Sequence, residues 1–91
     1  MNHVVFIRFD NAKNAVAAAD KLRALHGVVP TLQSVEVGID ELRTERSWDL
    51  CLICRFADKQ AMDDYQVHPA HQAVLGFIKA HATSVAAVDW T

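Results

Sequence analysis

The side chains able to do chemistry gather in one short stretch of the chain, Tyr65-Gln66-Val67-His68-Pro69-Ala70-His71. Imidazole titrates near neutral pH, so His71 can take a proton from a carbon acid and return it. A phenol at Tyr65 can donate a hydrogen bond to a carbonyl oxygen that is becoming an enolate. Each also has a plainer reading. His71 can be a half-buried histidine bonded to backbone at a helix break, and Tyr65 an aromatic at the core edge with a wet hydroxyl. Pro69 cannot continue a preceding helix but suits the first position of a new one. The break lets side chains six residues apart converge, where a continuous helix would send them to very different faces. His68, just before the proline, reads as the cap of the second helix.

His3 is in phase with Val5 and Ile7, so it faces the helices, either lining a pocket there or sitting at the sheet edge. The expected pocket has apolar walls from Val5, Ile7, Leu22, Leu52 and Leu75, with Tyr65 and His71 both reaching it and His3 near its mouth. A few polar groups within apolar walls are the usual layout of a small-molecule site. His26 and His81 lie near helix C-termini, where an imidazole suits the dipole. A metal site from His3, His68 and His71 would lack an accompanying carboxylate, and catalytic zinc usually takes three protein ligands with a supporting shell. No metal and no cofactor are therefore expected. Cys51 and Cys54 lie three apart in a strand and so point to opposite faces. They read as small buried hydrophobes rather than a disulfide or metal pair.

The elements that must carry these residues follow from periodicity. His3–Phe9 is a β-branched and aromatic run, hence a strand. Asn11–His26 is a helix capped by Asn11, with Ala15, Ala18, Ala19, Leu22 and Leu25 on one face and Gly27 as its stop. Thr31–Gly38 is a second strand and Asp40–Glu45 a polar connector. Ser47–Phe56 is a third strand, with Trp48, Leu50, Leu52, Cys54 and Phe56 sharing one face. Asp58 caps a short helix holding Met62 and Tyr65. The second part runs from Pro69 to about His81 and buries Val74, Phe77 and Ile78. Ser84–Trp90 is the last strand. The order β-α-β-β-α-β predicts a ferredoxin-like α+β fold, a four-stranded antiparallel sheet with its helices on one face, in one domain over residues 1–91.

Of the 91 residues, 52% are hydrophobic and 22% charged, and the formal net charge is −2. No cluster of Lys and Arg marks a nucleic-acid or anionic-membrane face, and no apolar stretch is long enough to span a bilayer. MNHVVFIRFD lacks the basic start and cleavage site of a signal peptide, so a cytoplasmic protein is expected. With helices on one face only, the face bearing Val4, Phe6, Cys51 and Ile53 would stay wet, at a cost of roughly 25 cal/mol per Å². A homodimer joined through that open sheet face removes the problem. Arg8 and Arg55 on the same face lie near its rim or pair with Asp49 or Glu36.

Together with the opening HVVFIRF, the turn Gly27-Val28-Val29-Pro30, the strand SVEVG and the closing VAAVDW, the Tyr65-x-x-His68-Pro69-x-His71 element resembles the stress-responsive A/B barrel domain family along the whole chain. The resemblance implies a dimeric α+β barrel. In a polyketide-cyclase member of the family, the tyrosine and last histidine of the motif serve an aldol condensation, and the matching positions are Tyr65 and His71. That member's early strand histidine matches His3. A further pocket histidine is replaced by Leu50, and two bulky aromatics by Ala18 and Leu22, so a pocket of different shape and polarity is implied. Two functions remain open at this point. One is acid–base chemistry on a small carbonyl compound, with His71 as base and Tyr65 as enolate stabiliser. The other is a non-catalytic binder of a small apolar ligand or a stress-related structural dimer.

Overall fold

A computed structural model describes all of residues 1–91. The elements are β1 (Asn2–Phe9), α1 (Ala12–Arg23), β2 (Ser34–Ile39), β3 (Leu50–Arg55), α2 (Lys59–Val67), α3 (Pro69–His81) and β4 (Ala82–Trp90). The strands form one antiparallel sheet in the order β2-β3-β1-β4. This is the expected ferredoxin-like α+β arrangement, with a broken second helix.

Side-chain caps start all three helices. The Asn14 N–H donates to Asn11 Oδ1 at 3.1 Å and the Ala61 N–H to Asp58 Oδ1 at 2.9 Å. At the break, the Ala70 N–H donates to His68 Nδ1 at 3.1 Å, so His68 caps α3 and Pro69 is its first residue. A side chain accepting from the first turn satisfies a donor the helix cannot.

The pleat sorts the strands into two faces. Val5, Ile7 and Phe9 of β1 and Leu50, Leu52 and Cys54 of β3 point toward the helices and are buried against Ala15, Ala18, Ala19 and Leu22 of α1 and Val74 and Ile78 of α3. The opposite face carries Val4, Phe6 and Arg8 paired with Cys51 and Ile53 on one side and with Val88, Ala86 and Ser84 on the other. No helix covers it, and Phe6, Val88 and Trp90 are exposed.

Several boundaries differ from the sequence reading. α1 ends at Arg23 rather than His26, because the chain tightens into i→i+3 turns at Leu25 and His26, and Gly27 takes φ +86°. β2 begins at Ser34 rather than Thr31, since Thr31 and Leu32 complete the turn that follows Pro30. β3 begins at Leu50 rather than Ser47, and this moves Trp48. In the irregular lead-in the alternation does not hold, so Trp48 leaves the Leu50 face and packs on Phe6, ring centroids 6.4 Å apart. The Arg8 guanidinium lies 4.1 Å over the Trp48 ring. Asp49 instead pairs with Arg43 at 2.8 Å and accepts from the Phe9 N–H at 2.7 Å. Arg55 is exposed and forms no ion pair. No helix is long and apolar enough to cross a membrane.

Candidate functional site

The break between α2 and α3 is where local sequence produces a polar site. Within one continuous helix the Gln66 carbonyl would accept from Ala70. Here the Ala70 N–H is taken by the His68 ring, and the Gln66 carbonyl is left for side chains. His71 Nδ1 lies 3.1 Å from it. A carbonyl only accepts, so Nδ1 carries the proton and Nε2 keeps its lone pair. Nε2 has no protein partner and is not sealed from solvent. His71 is buried, 7% exposed. Burial holds its protonation below the usual histidine range. The Gln66 bond opposes this, and the charges of His3 and His68 add to it. At neutral pH His71 is an uncharged imidazole with a free basic nitrogen.

His71 opens onto a cavity of about 500 Å³ between α3 and the helix-facing side of β1 and β4. The space exists because β4 reaches beyond the cover of α3, and from Thr83 onward β4 is exposed. Val5 and Ile7 of β1, Leu22 of α1, Leu52 of β3 and Leu75 of α3 all line the cavity, with Val85 and Ala87 of β4 opposite. Gln66, Lys79 and Thr83 supply polar groups to its wall.

His3 lines the same cavity, on a strand that lies inside the sheet rather than at its edge. Its Nδ1 is held by the Asp89 carboxylate, directly opposite in the β1–β4 register. The carboxylate accepts from Nδ1, which directs the other ring nitrogen away from Asp89. Asp89 was missed in the sequence reading. Its signal was a lone acid in phase with Val85 and Ala87 in an otherwise apolar strand.

Tyr65 departs from the expectation that its hydroxyl reaches the pocket. Its ring packs 4.3 Å from the His71 ring and 5.1 Å from the Phe56 ring, centroid to centroid. It is the one fully buried residue of this short helix, with Ala61 and Met62 half-buried against the core beside it. The hydroxyl is enclosed without a well-formed hydrogen bond and is not part of the cavity wall. Its nearest polar influence is the Cys54 thiol, a weak partner at best. Burial drives the phenol far above its ordinary titration range, with Cys54 adding to the effect, and burial pushes the Cys54 thiol up to about 11. Tyr65 and His71 therefore come together as rings in tilted contact, 42° between their planes, not as two polar groups aimed at one point. His26 lies in the turn beyond α1, and His81 binds Asp10 at 3.0 Å beside Asn14.

The fold is shared with several solved structures. A dimeric ferredoxin-like protein of unknown function from Thermobifida fusca matches with a TM-score of 0.87 at 20% identity, over 99% of this chain and 88% of that one. Another, from Jannaschia sp. CCS1, matches with a TM-score of 0.81 at 26% identity, over 99% and 96%. A hydroxynitrile lyase from Passiflora edulis matches with a TM-score of 0.83 at 11% identity, over 98% and 89%. None of the curated proteins matches the sequence. The model of the Stress responsive A/B Barrel Domain matches residues 1–91, and the chain belongs to that family.

Proposed function

We propose that the chain works as a homodimer in which each protomer holds a small carbonyl compound in the cavity beside α3 and exchanges a proton with it, in the manner of a cyclase or lyase. The observation that carries this reading is the pair of imidazoles at one end of an apolar cavity, each oriented by a bond to its Nδ1. His71 is the base, because its Nε2 is uncharged and unpartnered. A proton taken from the carbon next to a carbonyl leaves an enolate oxygen. His3, when protonated against Asp89, donates from Nε2 to that oxygen and completes an acid–base pair. Tyr65 supports the His71 ring by tilted ring contact and acts as a positioning residue. The hydroxynitrile lyase from Passiflora edulis has the same fold, which lends support to a lyase-like reading.

The dimer forms through the open sheet face, as the exposed Phe6, Val88 and Trp90 suggest. The dimeric proteins from Thermobifida fusca and Jannaschia have the same fold. The proposal extends to a cytoplasmic location, a compartment suited to the free thiols Cys51 and Cys54.

A second reading, a non-catalytic binder of a small apolar ligand, draws support from the enclosed Tyr65 hydroxyl, which leaves one fewer polar group at the cavity. Solvent deuterium exchange at the acidic carbon of a medium-chain β-diketone separates the two. Proton transfer by His71 predicts accelerated exchange that falls roughly 100-fold in His71→Ala with binding retained. Binding without acceleration would leave the binder reading standing and end the enzymatic one.

A further inference from the structure

The cavity is a trough with unlike ends. His71 and Lys79 stand eight residues apart on α3, so about 12 Å separates them along the helix axis. Leu75 and Ile78 face the cavity between them. His3 lies at the His71 end, because it pairs with Asp89 at the end of β4 remote from Ala82, where the C-terminus of α3 arrives. The far end is built where α3 passes into β4, and there Lys79, Ala82 and Thr83 line the wall. Lys79 is exposed, pairs with no carboxylate, and is the one Lys or Arg side chain that lines the cavity. The one acid beside the cavity, Asp89, belongs to the opposite end and is engaged by His3. The Thr83 hydroxyl sits at the irregular step in the β1–β4 ladder and has no protein partner.

We propose that the ligand of this cavity is an anionic amphiphile: an apolar body about 12 Å long lying along Leu75 and Ile78, with its carbonyl at His3 and His71 and a negatively charged head, such as a carboxylate, at Lys79. This rests on the reading of the cavity as a ligand site and adds the polarity and direction of what enters it. An unpaired ammonium at the rim of an apolar trough attracts an anionic head while leaving the chain to the hydrophobic wall. A neutral molecule of the same length would gain the wall contacts alone. Lys79 also stands in the last turn of α3, where a cation suits the helix dipole. That role affects stability and gives no preference among ligands.

The test is a titration of the full chain with octanoate, octanol and octylamine at low ionic strength, followed by the NMR methyl signals of Leu75 and Ile78. Octanoate should bind more tightly than octanol by up to about fivefold, the upper end for an exposed ion pair, and added salt should erase the difference. Lys79→Met should abolish the preference for octanoate over octanol, and Lys79→Glu should favour octylamine. Lys79 is exposed, so both variants should fold, which circular dichroism checks. Octanol binding as tightly as octanoate, or a preference that survives in Lys79→Met, would overturn the proposal while leaving the cavity as a ligand site. Failure of all three probes to move the cavity methyl signals would overturn both.

Discussion

Tyr65→Phe removes one oxygen atom from a fully enclosed position and keeps the ring between Phe56 and His71. A buried hydroxyl without a hydrogen bond costs about 1–3 kcal/mol. The nearby Cys54 thiol, a weak partner, offsets part of that, and the small void left by the oxygen offsets a little more. The net expectation is a gain of about 1 kcal/mol. For a domain of this size that raises the melting temperature by about 4–8 °C. Urea unfolding of both proteins at one fixed protein concentration measures it, since a dimer's stability depends on concentration. The same variant should keep its rate of β-diketone exchange, because the hydroxyl does not line the cavity. Tyr65→Ala is the control: it removes the ring contacts and should cost about 3–5 kcal/mol. A loss of 1 kcal/mol or more in Tyr65→Phe would mean that the hydroxyl has a real partner. A tenfold fall in exchange at unchanged stability would mean that it reaches the reacting carbonyl.

Ile53→Glu places a charge at the centre of the open sheet face and should dissociate the dimer. Sedimentation checks this, and a folded wild-type monomer at about 100 μM, far above a micromolar Kd, would contradict the dimer. Stability should fall as the solution is acidified. His71 is held below its ordinary value of 6.5, so the unfolded chain binds the extra proton first, and stability present above 6.5 is lost as pH drops toward the folded value. Urea midpoints measured across this range should flatten in His71→Gln. Cys54, with its thiol pushed up to about 11, should resist alkylation in the native protein at mildly alkaline pH and react once urea unfolds it. Rapid native labelling would show that the β3 core opens readily.

The element order and the helix caps were legible because each rests on short-range chemistry: an Asn, Asp or His side chain accepting from a first turn, a proline that can only begin a helix, and β-branched runs that pair. The β1, α1 and β3 parts of the apolar cavity wall were legible for the same reason, as the phases of Val5, Ile7, Leu22 and Leu52 follow from periodicity. Trp48 was misplaced because strand alternation was carried three residues beyond the point where pairing starts. Asp89 and Tyr65 depend on longer-range facts. Asp89 meets His3 only through the register of strands at opposite ends of the chain. The Tyr65 phenol turns inward because α2 buries little else, a packing outcome that spacing around His68-Pro69 does not reveal. Arg8 found an aromatic ring rather than an acid, since Asp49 was already engaged by Arg43 and the Phe9 amide.

Proton transfer in this cavity requires one nitrogen, Nε2 of His71, to be a free and uncharged base facing it. Histidine side-chain 15N correlation spectra report both tautomer and protonation directly. His71 should be the Nδ1–H tautomer at pH 7, titrate below 6.5, and shift at Nε2 when a medium-chain β-diketone is added. A His71 ring protonated at Nε2 at neutral pH, or one whose Nε2 signal ignores a ligand that demonstrably binds, would contradict it.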